Sequence, residues 1–156
     1  MDEKKLLKYA VDYLSKYDSS KVNLVNVLKR KILRLKTTNY EKGKLINIIE
    51  SIIIKLEKNK FIDDNRYSST KILSLSNSGK SKNFIFNYLI KKGVNKTQIQ
   101  NNLNLMQQDN DNWELYSAKI FAKKKNLLEK NESYEKKLAK MARAGFSYDI
   151  CKKILG

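Results

Sequence analysis

Catalytic or metal chemistry would need side chains that this sequence of 156 residues supplies sparsely. Histidine is absent and Cys151 is the single cysteine, so no Ser/His pair, Cys/His pair or internal disulfide can form. Asp63 and Asp64 could act as an acid pair or anchor a metal ion, but carboxylates at the start of a helical run are typical of a helix cap. We therefore predict a protein that is not an enzyme and that uses no metal ion and no cofactor.

Binding chemistry has more support, because the 33 Lys and Arg residues outnumber the 16 Asp and Glu residues and leave a net charge of +17. Such a charge predicts a polyanionic or acidic partner, most simply nucleic acid or a nucleoprotein. The alternative is a lysine-rich composition shared with the rest of the proteome. The excess is spread along the chain, with 15 cations against 7 acids in residues 1–60, 7 against 2 in 61–108, and 11 against 7 in 109–156.

The cations that we predict to contact a partner lie at helix ends or on helix faces that lack acids. The densest group has four cations between residues 29 and 34 and no acid among them. It is equally consistent with a solvent-exposed helix face that contacts no partner. The predicted set is Lys29, Arg30, Lys31, Arg34, Lys80, Lys82, Lys91, Lys92, Lys123, Lys124, Lys125, Arg143, Lys152 and Lys153.

Helices must position these cations, because the chain has no proline and only five glycines, too few turn residues for a strand-rich fold. Apolar residues spaced three and four apart predict helices over residues 3–16, about 21–35 and 40–60. The third of these is predicted as one long helix with a wide apolar face. Its apolar positions are Leu45, Ile48, Ile49, Ile52, Ile53 and Leu56.

Three short helices are predicted between residues 61 and 108, separated by turn and cap residues. Gly79 and Gly93 can take the positive φ that ends a helix. Asp63 or Asp64 is predicted to cap the first helix. Ser81 is predicted to cap the second and Asn95 the third.

Three more helical segments follow the loop at residues 109–112. Trp113 opens the first, Asn131 or Ser133 starts the second, and Ser147 caps the last. The predicted apolar side of the first segment is Tyr116, Ala118, Ile120, Phe121 and Leu128.

Four motifs occur in a fixed order along the chain: Phe61-Ile62-Asp63-Asp64-x-Arg66-Tyr67, the Gly79 turn before Ile85-x-x-x-Leu89, Lys91-Lys92-Gly93-Val94, and Ala144-Gly145-Phe146-Ser147-Tyr148-Asp149 followed by Ile154-Leu155. Together they resemble the RecX family, the regulators of the RecA recombinase. The resemblance covers nearly the whole chain and is faint before residue 61.

An internal repeat divides the chain. Gly93-Val94-Asn95 recurs 52 residues later as Gly145-Phe146-Ser147, and residues 1–60 read as a longer copy. Ile99 then matches Ile150 or Cys151. We predict an all-α fold of three tandem three-helix repeats, at 1–60, 61–108 and 109–156, that form an elongated, curved helical rod. The resemblance implies the same architecture.

The resemblance implies that the chain binds the groove of the RecA–DNA filament and inhibits ATP hydrolysis, strand exchange and co-protease activity. The expected partners are the RecA filament, single-stranded DNA and, as a further option, duplex DNA. A cytoplasmic monomer without a membrane partner is expected, because the most apolar run, residues 45–56, is too short to span a bilayer.

The competing hypothesis is a general nucleic-acid-binding helical module, such as a helix-turn-helix reader of duplex DNA. The short helix pairs that meet at Gly93 and Gly145 would allow it. A reader needs amide side chains near the start of a recognition helix, and Gln98, Asn101 and Asn102 are the candidates.

Overall fold

A computed structural model describes every residue from Met1 to Gly156 and contains ten α-helices and no strand. The prediction of an all-α fold is confirmed. The helices are α1 (Glu3–Lys16), α2 (Lys21–Leu33), α3 (Asn39–Asn47), α4 (Ile49–Lys58), α5 (Asp64–Asn77), α6 (Lys82–Lys91), α7 (Lys96–Asp109), α8 (Trp113–Lys124), α9 (Tyr134–Arg143) and α10 (Tyr148–Leu155). None of them combines the length and apolar content that crossing a bilayer requires.

The chain forms two compact units: residues 1–67 with 92–94, and residues 68–91 with 95–156. In the first unit, α1 to α4 enclose a core of aliphatic side chains. Burial of each large aliphatic side chain contributes about 1.5–3 kcal/mol, so this core is the main source of the unit's stability. Its buried residues are Leu6, Ala10, Leu24, Leu28, Ile32, Leu45, Ile49, Ile52, Ile53, Leu56 and Ile62.

The single helix predicted for residues 40–60 is wrong, because the helix is interrupted at Ile48. The Ile48 N–H bonds the carbonyl of Leu45 at 3.3 Å, an i→i+3 bond that ends α3 before α4 begins. Both α3 and α4 contact α2. Both halves of the predicted helix therefore pack against the same neighbouring helix.

In the second unit, a core of Ala118, Ala122, Leu127, Met141, Phe146 and Cys151 joins α8, α9 and α10. Two predicted core residues are wrong here, because Tyr116 and Leu128 are each 52% exposed. Beyond the end of α8, Asn126 takes a positive φ of 56° and turns Leu127 inward. The Leu127 N–H then bonds the carbonyl of Ala122 at 2.8 Å, which leaves the next leucine outside.

The repeat register predicted for the glycine turns agrees with the burial pattern. Gly93 and Gly145 both have positive φ, at 81° and 98°. The following apolar residues, Val94 and Phe146, are both buried. Of the two candidates for the partner of Ile99, Cys151 is the buried one. The division of the whole chain into three repeats stays a prediction.

A first junction within unit 1 ties the start of α2 to residues 92–94. The Ser20 hydroxyl accepts a hydrogen bond from the Asn23 N–H at 3.1 Å and donates one to the carbonyl of Lys92. The Lys21 N–H, at the first position of α2, donates to the Asp64 carboxylate at 2.8 Å. Gly93 lies directly against Val22, so close that no Cβ would fit there.

A second junction, within unit 2, repeats these bonds at the start of α6. The Ser81 hydroxyl accepts from the Phe84 N–H at 3.0 Å and donates to the carbonyl of Ala144 at 2.7 Å. The Lys82 N–H, at the first position of α6, donates to the Glu114 carboxylate at 2.8 Å. Gly145 lies against Ser81, so this glycine turn is packed in the same way as the first.

Candidate nucleic-acid interface

One surface of the second unit brings together cations that are far apart in the sequence. A groove of about 280 Å³ is lined by Asn83, Phe84, Asn87, Tyr88 and Lys91 of α6 and by Arg143, Ala144 and Gly145 of the α9–α10 turn. We call it the α6 groove. It unites Lys91 and Arg143, two residues of the predicted binding set that stand 52 positions apart.

The α6 groove is positively charged, because its lining contains two cations and no carboxylate. Lys91 and Arg143 are both exposed, and neither forms a salt bridge. Each lies in the last turn of its helix, where a cation interacts favourably with the negative end of the helix dipole. The groove therefore presents two positive charges that no acid of the chain neutralises.

Two aromatic rings line the same groove. The rings of Phe84 and Tyr88 lie 6.4 Å apart between centroids, with planes inclined by 23°. A lysine ammonium stands near each ring: Lys80 Nζ is 4.6 Å from the centroid of Phe84, and Lys71 Nζ is 5.9 Å from that of Tyr88. Lys80, a predicted binding residue, thus belongs to the border of the groove.

Packing of Ser81 and Asn83 against Gly145 fixes the geometry of the groove. The Ser81 hydroxyl donates to the carbonyl of Ala144, and the side-chain amide of Asn83 donates to the carbonyl of Gly145 at 3.1 Å. These bonds hold the start of α6 against the turn that carries Arg143. The second junction therefore sets the distance between the cations of α6 and Arg143.

The other predicted cations are exposed at several separate places. Lys82 lines a second, polar groove of about 470 Å³ with amides of α7. The cations that are exposed and form no salt bridge, hydrogen bond or ring contact through their side chains are Lys29, Arg30, Arg34, Lys82, Lys123, Lys125 and Lys152.

Four predicted cations have contacts within the fold. Lys31 Nζ is 5.0 Å from the centroid of Tyr9, and Lys153 pairs with Asp149 at 3.2 Å. Lys124 Nζ donates to the carbonyl of Ser78 at 3.0 Å, just beyond the end of α5. Lys92 is half-buried, and its carbonyl belongs to the first junction. These contacts give the four residues structural roles.

The amide side chains predicted for a helix-turn-helix reader do not form one exposed set. Asn102 is only 8% exposed and lies in the interior of the second unit. Asn101 is exposed and lines the polar groove with Lys82, and Gln98 is half-buried. A recognition helix must present its amides together in the major groove of DNA, and the burial of Asn102 removes one of the three.

The two aspartates of the first sequence motif are caps, but of different helices. The Asp63 carboxylate accepts from the N–H groups of Asn65 and Arg66 at 2.9 and 3.1 Å and caps α5. Asp64 instead accepts from Lys21 at the start of α2. Burial raises the pKa of Asp64, although the Lys21 N–H and ammonium oppose the shift. The Arg66 guanidinium donates to the carbonyl of Lys60 at 3.3 Å.

Cys151 and Trp113 belong to the interior. Cys151 is fully buried, and burial raises the pKa of its thiol, which keeps the sulfur protonated and unreactive. Trp113 is 3% exposed, so its ring is unavailable for stacking on a base. Tyr17, Tyr40 and Tyr134, which lie near helix starts or loops, are exposed.

Phe84, Tyr88 and Asn87 were not among the predicted binding residues, although their spacing held a signal. Phe84, Tyr88 and Lys91 follow each other at intervals of four and three, on a face of α6 adjacent to buried Ile85 and Leu89. Aromatic residues at that spacing beside a cation could have indicated a stacking surface. The link to Arg143 had no signal in the sequence.

The comparisons with known proteins agree on one family. Regulatory protein RecX of Myxococcus xanthus (strain DK1622) is 32% identical over 154 residues, which cover 94% of this chain and 81% of that protein. The crystal structure of RecX from Lactobacillus salivarius matches with a TM-score of 0.70 at 24% identity, over 97% of this chain and 93% of that one. A second crystal structure of regulatory protein RecX matches with a TM-score of 0.69 at 22% identity, over 96% and 70% of the two chains.

No family model matches the sequence. The two likenesses to solved structures support the fold alone, because both are below 25% identity. The similarity to the Myxococcus protein is high enough, and covers enough of both chains, to establish kinship. The chain belongs to the RecX family of regulatory proteins.

Proposed function

We propose that this chain binds the helical groove of a RecA–DNA filament and inhibits the recombinase, lowering ATP hydrolysis, strand exchange and co-protease activity. The observation that carries the proposal is the 32% identity to a regulatory protein RecX over nearly the whole chain. The protein would act by binding, with DNA and the recombinase as its partners.

The charge distribution supports a nucleoprotein partner. Nine of the fourteen predicted cations are exposed and form no contact through their side chains: Lys29, Arg30, Arg34, Lys82, Lys91, Lys123, Lys125, Arg143 and Lys152. They occur in both units. Spread charge suits a long polyanion, because each phosphate that a cation neutralises releases a counterion and adds to the affinity.

The test is ATP hydrolysis by the cognate recombinase on single-stranded DNA, with this protein added below the recombinase concentration. We expect the wild-type protein to inhibit hydrolysis. The sequence alone suggests Lys91→Glu with Lys92→Glu as the test variant. Lys91→Glu with Arg143→Glu is the better variant. Lys92 is half-buried and its backbone belongs to the first junction, so its replacement would also affect the fold.

The double variant should need several-fold more protein for the same inhibition, because two charge reversals remove attractive phosphate contacts and add repulsive ones. Wild-type protein that leaves hydrolysis unchanged while binding a duplex tightly and sequence-dependently would contradict the proposal. That outcome would favour the helix-turn-helix reader.

A further inference from the structure

We propose that the α6 groove binds one nucleotide of a single DNA strand, with its phosphate between Lys91 and Arg143 and its base against the ring of Phe84. The choice of a DNA strand as the polyanion rests on the proposed function. It adds a specific site to that function and predicts that the chain binds a strand without the recombinase.

The size of the groove is the first argument. Its volume of about 280 Å³ is slightly below the roughly 300 Å³ at which clefts for small molecules begin. A concave site of this size takes a single extruded nucleotide. The paired, stacked bases of a duplex cannot enter it.

Charge is the second argument. Two like charges on one groove repel each other, and an uncompensated pair is stabilised when an anion lies between them. The fold supplies no carboxylate to do this, either in the lining of the groove or as a salt-bridge partner of Lys91 or Arg143. A phosphate is the anion that a strand would bring.

The polar and aromatic lining supplies contacts for a base. Phe84 is 39% exposed, a large apolar surface for a ring on the outside of a helix. A base can stack on its ring in place of the Lys80 ammonium, since every base has a π surface. The side-chain amide of Asn87 forms no hydrogen bond within the fold and lines the groove, so its donors and acceptor can pair with the edge of the base.

The experiment measures the binding of a fluorescently labelled 20-mer of deoxythymidine, by anisotropy, without any recombinase. We expect Phe84→Ala to weaken binding by about 5-fold to 100-fold, the loss of stacking on one base. Lys91→Glu with Arg143→Glu should reduce the slope of log affinity against log salt by about 0.7, from the loss of the one phosphate that the two cations neutralise. Phe84→Trp should bind at least as tightly as wild type, whereas an effect on folding alone would weaken both Phe84 variants.

Lys130→Glu with Lys136→Glu is the matched control, because it makes the same change of charge in the same unit at exposed lysines that are outside the predicted binding set and form no side-chain contact. It should weaken binding much less than the groove variant. A duplex of the same length should bind Phe84→Ala and wild-type protein equally. The site is contradicted if Phe84→Ala binds the strand like wild type, or if the control weakens binding as much as the groove variant.

The two proposals fail separately. If Phe84→Ala loses strand binding but the wild-type protein does not inhibit the recombinase, the site stands and the proposed function falls. If the wild-type protein inhibits the recombinase while Phe84→Ala binds the strand normally, the function stands and the site falls.

Discussion

The first and second junctions are built from the same three bonds but from different side chains. In each, a serine caps a helix and donates to the carbonyl before a positive-φ glycine, and a carboxylate accepts from the next N–H. The first uses Asp64 and packs its glycine on Val22. The second uses Glu114 and packs its glycine on Ser81, with Asn83 bonding the same turn.

The comparison shows which residues a junction of this kind requires and which residues can vary. The serine hydroxyl and the glycine are the same in both, because a buried carbonyl needs a donor and the turn leaves no room for a Cβ. The carboxylate can belong to an aspartate or to the longer glutamate, and the side chain against the glycine can be a valine or a serine. Asn83, Ala144 and Gly145 of the second junction also line the α6 groove.

The largest expected effect on stability comes from replacing the glycine of either junction by alanine, which adds a methyl group. Gly93→Ala should destabilise the protein by about 3 kcal/mol or more, from a positive φ that alanine resists and from overpacking. Its Cβ would lie within 2.7 Å of three carbons of Val22, and the position of the Val22 Cβ is fixed by the backbone of α2. Gly145→Ala should cost less, about 2 kcal/mol, because only the Ser81 hydroxyl oxygen lies closer than 3.3 Å to its added Cβ, whereas three carbons do so at Gly93.

Urea unfolding monitored by circular dichroism measures this difference. Gly43→Ala is the control, because Gly43 lies inside α3 with nothing within 4 Å of its added Cβ. It should stabilise the protein by about 0.5–1 kcal/mol. Equal losses at Gly93 and Gly145 would show that conformational strain alone, and not the fixed Val22 carbon, decides the cost.

An intermediate effect is expected from the serines. Ser20→Ala and Ser81→Ala should each cost about 2 kcal/mol, because each removes a helix cap and leaves a carbonyl without its donor. Ser133→Ala should cost about 1 kcal/mol or less, since the Ser133 hydroxyl is exposed and caps α9 only. Thermal unfolding compares the three variants, and a loss at Ser133 as large as at Ser81 would argue against the double role of the junction serines.

The smallest effect is a change in pH dependence at Asp64. Its pKa in the folded protein is raised above the ordinary 3.8 by burial. Protonated Asp64 therefore favours the folded state: this contribution is fully present below pH 3.8 and is lost as the pH rises through the higher pKa of the folded state. Asp64→Asn keeps an acceptor for the Lys21 N–H and removes the titration.

We expect the free energy of unfolding of Asp64→Asn to rise relative to wild type as the pH increases from 4 to 7. Urea unfolding at several pH values measures it, with Glu114→Gln as the matched change at the second junction. A difference between Asp64→Asn and wild type that stays constant across this range would contradict the assignment.

Much of the fold could be predicted from the sequence. The helix starts at Lys82, Lys96 and Tyr148 follow Ser81, Asn95 and Ser147, which cap them as predicted. The predicted positive φ of Gly79 and Gly93 is confirmed. The predictions were wrong where packing in the folded protein differed from the local spacing of apolar residues. Ile48 interrupts the predicted long helix, and Leu127 takes the buried place expected for Leu128.

The candidate site could be predicted only in part. Lys91 and Arg143 were predicted as helix-end cations, each from its own segment, and both are exposed. Nothing in the sequence indicated that they line one groove together with Phe84 and Tyr88. Asp63 or Asp64 was predicted to cap α5: Asp63 does so, whereas Asp64 caps α2, a distant helix that its position in the sequence did not indicate.

The sequence by itself determined the helices, their caps, the glycine turns, the excess of positive charge and the motifs of the RecX family. These features depend on residues within about one helical turn of each other, or on composition, so the local sequence is enough to predict them. The tertiary structure alone decided which cations share a groove and which carboxylate meets which N–H. Those pairings join residues 32 to 72 positions apart, and only helix packing brings such distant groups within bonding distance.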